Sequence, residues 1–109
     1  MERTLNKVEL RGVVGADPKI FELDNGAKVI RFSIATHETF KTKEGTLKEE
    51  TTWHNIVGWY NRNMPDFEKI KRGGLVEVYG KLRYCRYKNR DGEERFVTEI
   101  VAQKMSVEH

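Results

Sequence analysis

Apolar and polar residues alternate with a period of two in several separate stretches of this 109-residue chain. Such a period is typical of strands that bury one face, because successive side chains of a strand point to opposite sides. The alternating or β-branched stretches begin near Lys7, Ile30, Thr51, Leu75 and Phe96. Turn residues separate them, most clearly at Asp24-Asn25-Gly26 and at Asn89-Arg90-Asp91-Gly92. The pattern predicts an all-β fold of four or five strands.

One segment departs from this pattern and predicts a helix. In residues 63–71, Pro65 suits a first helical turn, and Phe67 and Ile70 share a face. Gly73-Gly74 follows as a stop signal. We therefore expect one short helix between strands 3 and 4, which is the arrangement of the OB-fold, a five-stranded Greek-key β-barrel. An SH3-like barrel is the alternative, although it normally lacks a helix at that place.

The length of the chain bounds its organisation. A chain of 109 residues has room for one hydrophobic core, and no internal repeat or low-complexity segment divides it. We expect a single domain spanning residues 1–109. No apolar run approaches the roughly 20 residues needed to cross a bilayer, and the first residues lack the apolar stretch of a signal peptide. These features predict a cytoplasmic protein with no membrane partner.

Residue types that support catalysis or metal binding are sparse. Cys85 is the single cysteine, so it has no partner for an internal disulfide or a zinc site. The histidines His37, His54 and His109 are scattered and lack ligand spacing. Glu49-Glu50 point to opposite faces of a strand, which does not make a catalytic carboxylate pair. No nucleophile or phosphate-binding motif occurs, and we expect neither an enzyme nor a cofactor or metal.

Two tryptophans occupy one face of the third predicted strand. Period-two geometry places Trp53, Asn55 and Trp59 on one side and His54 and Ile56 on the other. One interpretation is that both rings fill the barrel core, the commoner fate of tryptophans in small domains. Aliphatic residues already supply a core, however, and an exposed pair of rings suits sequence-tolerant binding of single strands, because every base can stack on a ring. The pair predicts a stacking platform.

Cationic and aromatic residues interleave in the fourth predicted strand. Arg83, Cys85 and Tyr87 share one face, and Tyr84 and Arg86 share the other. A β-ribbon with solvated charges is one interpretation. Beside the two tryptophans we favour a groove that follows a nucleic-acid backbone, in which arginines neutralise phosphates and rings contact bases.

Residues 40–48 are mostly polar, with Gly45 near their middle, and predict a mobile loop between strands. Phe40 lies in this segment, flanked by Lys41 and Lys43. An aromatic ring in such a loop either anchors the loop or contacts a ligand. We expect Phe40, Lys41 and Lys43 to extend the binding surface.

The formal net charge of +3 is too small to indicate a nucleic-acid partner by itself.

Several stretches resemble bacterial single-stranded DNA-binding proteins. The segment Thr51-Thr52-Trp53-His54 resembles the Thr-x-Trp-His signature of that family. Similar stretches follow in the family's order and spacing over nearly the whole chain: Asn6-Lys7-Val8, Gly15-Ala16-Asp17-Pro18, Asn25-Gly26, Phe32-Ser33-Ile34-Ala35-Thr36, Gly80-Lys81-Leu82-Arg83, Asp91-Gly92 and Thr98-Glu99-Ile100-Val101. Each is weak alone, but together they are specific.

The resemblance implies a site and an assembly. The stacking aromatics of the family fall on Phe40, Trp53, Trp59 and Tyr87. Its phosphate contacts fall on Arg83 and Arg86, while Cys85 stands where the family often has another basic residue. His54 falls near the subunit contacts of a homotetramer, and the first strand, with Lys7 and Val8, helps to pair subunits. A dimer, and a satisfied interior or surface role for His54, are alternatives.

The resemblance also implies a function. It predicts a nucleoid-associated protein that coats and protects single-stranded DNA during replication, recombination and repair. Typical members continue into a flexible linker with an acidic tip, whereas this chain stops at Ser106-Val107-Glu108-His109. Replication and repair proteins are therefore expected partners only if the full-length protein has such a tail. A tailless primosomal accessory protein and a protein-interaction module are the alternative functions.

Overall fold

The computed structural model describes residues 3–108, so both ends of the predicted domain, including His109, lie outside the described residues. Within residues 3–108 the chain forms six strands and one 3₁₀ helix. In chain order these are β1 (Val8–Val14), β2 (Lys19–Glu22), β3 (Lys28–Lys41), β4 (Leu47–Trp59), the 3₁₀ helix (Phe67–Lys69), β5 (Leu75–Lys88) and β6 (Glu94–Glu108).

Five of these strands close into a barrel. They follow the order β1-β5-β6-β4-β3, and β3 returns to β1 through the pairs Val13–Ala35 and Val14–Ile34. All neighbours are antiparallel except β4 and β6, which run parallel. The helix lies between the third and fourth barrel strands, as predicted. β2 pairs with β3 and forms the edge of the sheet.

The alternating residues identified in the sequence line the barrel interior. Ile30 and Ile34 of β3 and Val76 and Val78 of β5 are fully buried, and Phe32 of β3 is nearly so. Because side chains alternate between the two faces, most outward side chains of the same strands remain available for a binding surface, although Val29 and Ala35 of β3 are buried. Gly80 allows β5 to approach β6 closely, since a Cβ there would collide with the carbonyl group of Val101.

The helix is much shorter than residues 63–71. Only Phe67–Lys69 form a 3₁₀ turn, in which the Asp66 carboxylate accepts a hydrogen bond from the Glu68 N–H at 3.1 Å. The Ile70 N–H donates a hydrogen bond to the Phe67 carbonyl, which closes the turn, and the backbone of Ile70 is already extended. A three-residue period is enough to bury both Phe67 and Ile70 at one end of the barrel.

The predicted loop over residues 40–48 is wrong. β3 and β4 continue as an exposed hairpin arm with unbroken pairing as far as Lys41 and Leu47, which leaves residues 42–46 as the connection. Both faces of this arm are open to solvent, so no apolar alternation marks it in the sequence. β2 was not predicted for a similar reason: of its four residues only Ile20 is even partly buried.

Candidate nucleic-acid interface

Both tryptophans of β4 lie on the outer surface of the barrel. The exposed fraction is 59% for Trp53 and 40% for Trp59, which rules out the interpretation that they fill the core. Trp53 lies opposite the small residue Ala35 of β3. Its ring packs over Gly15, where a Cβ would lie 2.8 Å from Cη2 of the indole. The residues around Trp53 are small enough to leave one side of the ring for a ligand.

We call the surface that carries these rings the stacking face. Its members share the outward direction of β3, β4, β5 and β6, and the ones used below are Arg31, Ser33, Trp53, Asn55, Trp59, Arg83, Cys85, Tyr87 and Glu99. Trp53, Trp59, Arg83 and Tyr87 of the predicted site therefore come together on one surface. Lys41 has the same direction on the β3 arm, and Lys43 lies in the connection at the tip of that arm.

Glu99 organises the middle of the stacking face. Its Oε2 accepts a hydrogen bond from Nη1 of Arg31 at 2.6 Å, and its Oε1 accepts one from Nη2 of Arg83 at 2.8 Å. The Cys85 thiol donates to the same Oε1 at 3.0 Å. Glu99, on β6, is 7% exposed, and its three partners come from β3 and β5. No sequence pattern indicates this cluster, because Arg31 and Glu99 lie 68 positions apart.

These contacts fix the charge of the cluster. Burial raises the pKa of Glu99, but hydrogen bonds from Arg83, Cys85 and Arg31 outweigh it and lower that pKa to about 2. The hydrogen bond to Glu99 raises the pKa of the Cys85 thiol. At neutral pH the cluster thus holds two guanidinium cations, one carboxylate and a neutral thiol, which leaves one net positive charge on this part of the face.

Arg83 also links the cluster to a tryptophan. Its Cζ lies 6.0 Å from the ring centroid of Trp59, at the outer limit of a cation–π contact. Tyr87 lies four residues further along β5, in the end of the β5–β6 hairpin (residues 86–96), which we call the β5–β6 arm. It is half-exposed and pairs with Arg95 of β6. Rings and cations therefore alternate along the stacking face from β4 to the β5–β6 arm, as base and phosphate contacts require.

Phe40 and Arg86 lie on the other side of their strands. The register of β3 is unbroken from Ala35 to Phe40, five positions away, so the Phe40 ring points to the face opposite Trp53. Arg86 likewise faces away from Arg83 and Tyr87, and its Nη1 lies 3.7 Å from Glu94. The structure divides the predicted contacts between the stacking face and the reverse sides of the two arms.

A shallow recess of about 360 Å³ opens beside the cluster. Its polar lining includes Lys19, Arg31, Ser33, Asn55 and Glu99. Hydrogen-bond donors and acceptors at this place can meet the edge of a base or a sugar-phosphate unit. Within residues 3–108 no group of three or more His, Cys, Asp or Glu side chains is arranged to hold a metal ion.

The residues predicted for subunit contacts lie at the barrel end of the arms and at the start of β1. The Nε2 of His54 lies 2.9 Å from Oγ1 of Thr36, and the imidazole is partly buried. Lys7 is exposed just before β1, and Val8 packs against the core. The Asn6 side chain holds the segment before β1 in place. It donates a hydrogen bond to the Leu82 carbonyl and accepts one from the Leu82 N–H, each at 2.8 Å.

Comparison with known proteins identifies the family to which this sequence is related. The sequence model of the single-strand binding protein family matches residues 5–108. The chain belongs to this family. A single-stranded DNA-binding protein of Neisseria meningitidis is 38% identical over 104 residues, which are 95% of the chain and 60% of that protein. Single-stranded DNA-binding protein 1 of Chlorobaculum tepidum is 38% identical over 108 residues, covering 98% and 67%.

Solved structures of the single-strand binding family have the same fold. A Plasmodium falciparum SSB in complex with ssDNA is 34% identical, with a TM-score of 0.80 over 98% of this chain and 96% of that one. A deletion mutant of the Thermus aquaticus single-stranded DNA-binding protein is 24% identical, with a TM-score of 0.79 over 100% and 53%. The predicted OB-fold is confirmed.

Membership of the single-strand binding family bears on two further predictions. The family is non-enzymatic, so the prediction that the chain is not an enzyme is confirmed. The chain spans about 60% of the length of the Neisseria relatives. In the part of the chain that the structure describes, no helix is long and apolar enough to cross a membrane.

Proposed function

We propose that this protein binds single-stranded DNA, largely without regard to sequence, by laying the strand across the stacking face. The observation that carries the proposal is the pair of solvent-exposed tryptophans on one outward face of β4. Single-strand stacking needs exposed rings, because bases in a duplex already stack on one another. The P. falciparum relative described as a complex with ssDNA supports the same ligand.

In this mechanism the rings hold bases and the cations hold phosphates. Trp53 and Trp59 form the central platform, and Tyr87 extends it along the β5–β6 arm. Arg83, Lys41 and Lys43 contact phosphates near the stacking face. Phe40 and Arg86 point the other way, so we propose that they contact the strand where it passes around the arms.

The biological role follows from this chemistry. A protein that covers bases and neutralises phosphates protects unpaired DNA from pairing and from cleavage. We propose that it does so during replication, recombination and repair, in the cytoplasm and associated with the nucleoid. We propose replication and repair proteins as partners only if the full-length protein has a C-terminal tail.

We further propose that one domain, residues 1–109, forms a homotetramer, with a dimer as the alternative. The hydrogen bonds of β1 support this. Residues from Val8 to Arg11 pair with β5, and β3 joins β1 only at Val13 and Val14 within the described chain. The other edge of early β1 is thus available for a second copy, and we propose that Lys7, Val8 and His54 contribute to that contact. Light scattering of the purified protein measures the mass directly.

The binding proposal is tested by fluorescence anisotropy of labelled oligo-dT and of a duplex of equal charge. We expect tight binding of oligo-dT, weak binding of duplex, and affinity that falls as salt rises. Trp53→Ala and Trp59→Ala should each weaken binding by about fivefold or more, since stacking on a ring contributes about 1 to 3 kcal/mol per base.

Leu23→Ala is the matched control for the tryptophan variants. Leu23 is 45% exposed, close to the value for Trp59, and follows the end of β2. We expect its loss to leave the affinity unchanged. Equal binding of single strand and duplex, or tryptophan variants that bind like the control, would contradict the proposal.

A further inference from the structure

An aromatic residue outside the predicted site lies on the edge strand β2. Phe21 is 47% exposed, although β2 pairs only with β3 in the described chain. Exposed edge strands usually carry charged or small residues, because an apolar edge promotes aggregation. The other outward residue of β2, Lys19, fits that rule. Phe21 does not, and the barrel core gives no reason for it.

The strand register places Phe21 in one row with Trp59. Phe21 lies directly opposite Val29 of β3, and Val29 lies directly opposite Trp59 of β4. Residues directly opposite one another lie on the same face of a sheet. Two strand spacings, measured across the sheet, separate the backbones of the two aromatic residues by about 10 Å. Val29 is buried between them, and both rings remain half-open to solvent.

A cation lies next to this row on the same face. Lys19, two residues before Phe21, pairs with Arg31 of β3 and is exposed. Arg31 is engaged by Glu99, whereas Lys19 takes part in none of the salt bridges between described residues. Lys19 also lines the recess beside the cluster. Phe21 and Lys19 thus place an aromatic ring beside a cation at the edge of the sheet, as Trp59 and Arg83 do nearer its centre.

We propose that Phe21 is a further base-stacking position, which takes one base of the single strand as it leaves Trp59 toward β2, with Lys19 contacting the adjoining phosphate. This inference rests on the proposed function and extends the bound strand across β4, β3 and β2. Its occupant is single-stranded nucleic acid because the row is continuous with the stacking face and carries a free ammonium group.

The test compares Phe21→Ala, Phe21→Leu and the control Leu23→Ala by anisotropy, with oligo-dT of increasing length in the range of about 4 to 16 nucleotides per OB-fold. We expect Phe21→Ala to bind the longest oligonucleotide about fivefold more weakly than the unmodified protein and the shortest one equally well. Phe21→Leu should behave like Phe21→Ala, because leucine keeps the apolar contact but has no ring. Leu23→Ala should match the unmodified protein.

The outcomes separate this inference from the proposed function. If Trp59→Ala weakens binding and Phe21→Ala does not, the inference is wrong and the proposed function stands. If Phe21→Leu binds like the unmodified protein, the contact is apolar and no base stacks there. A change of mass on light scattering for Phe21→Ala would instead show that Phe21 contacts a second copy. If the unmodified protein does not bind oligo-dT, the proposed function itself fails.

A reporter variant gives a second, direct measurement. Phe21→Trp combined with Trp53→Phe and Trp59→Phe leaves one tryptophan, at position 21, and keeps a ring at each central position. We expect oligo-dT to quench its fluorescence over the same concentration range in which anisotropy shows binding. Binding without quenching would overturn the stacking role of position 21.

Discussion

Glu99 accepts a hydrogen bond from Arg31 at 2.6 Å in the middle of the surface that carries both tryptophans. An acidic residue among proposed phosphate contacts would repel DNA if it were free. Here the carboxylate is almost fully buried and also accepts a hydrogen bond from Arg83. Its negative charge is therefore paired with the two guanidinium groups. The side chains of both arginines nevertheless stay partly exposed, 50% for Arg31 and 39% for Arg83, so each can still contact a ligand.

Replacing this carboxylate should cost stability. Glu99→Gln removes the charge that pairs with Arg31 and Arg83 and keeps the shape of the side chain. We expect a loss of about 1 to 3 kcal/mol in the free energy of unfolding, measured by urea denaturation. Glu94→Gln is the control, because Glu94 makes a long, exposed pair with Arg86 and should change stability little. Equal effects of the two variants would contradict the role given to Glu99.

The same residue predicts how stability depends on pH. Its pKa falls from 4.5 in the unfolded reference to about 2 in the folded protein, so the folded state favours the ionised form. The stabilisation is therefore fully present above about pH 4.5 and is lost progressively as the pH falls toward 2. We expect the stability difference between the unmodified protein and Glu99→Gln to shrink over that interval. A difference that stays constant down to pH 2 would contradict the shift.

Gly15 should matter for binding more than for folding. Gly15→Ala places a methyl group against the indole of Trp53, at the exposed end of a side chain that can swing away. We expect weaker binding of oligo-dT with little change in the urea midpoint, because the ring moves and the core does not. Leu23→Ala, at an exposed position that is not a member of the stacking face, serves again as the control. Unaltered binding by Gly15→Ala would show that the position of the Trp53 ring is not critical.

The salt dependence of binding should report the arm lysines. For single strands, each phosphate contact contributes about 0.7 to the slope of log affinity against log salt. Lys41→Ala and Lys43→Ala should each lower the magnitude of that slope by about this amount. Lys69→Ala is a matched control, since Lys69 is an exposed lysine in the 3₁₀ helix, away from both arms. Slopes that do not differ among the three variants would exclude the arm lysines as phosphate contacts.

Alternation predicted the barrel strands and the common face of Trp53 and Trp59, because both depend on one strand having one buried side. It failed where neither side is buried. The β3–β4 arm and β2 are held by backbone pairing, which leaves no apolar period in the sequence. The opposite direction of Phe40 follows from the same alternation only once β3 is known to continue to Lys41.

The partners of Glu99 were beyond the reach of sequence patterns. Its position in β6 predicts an outward side chain, which ordinarily means exposure. Its burial depends on Arg31 and Arg83, which reach it from β3 and β5. Phe21 was missed likewise, because its alignment with Trp59 depends on the registers of two strand pairs.

The central claim, that bases stack on the two tryptophans, is tested most directly by titrating intrinsic tryptophan fluorescence with oligo-dT at low and high salt, with duplex DNA of equal charge as the control. Trp53→Phe and Trp59→Phe each leave one indole, so the signal from each ring is read separately. We predict strong quenching of both rings by the single strand, weaker binding at high salt and little response to duplex. Unchanged fluorescence with bound oligo-dT, or equal quenching by duplex, would contradict the stacking mechanism.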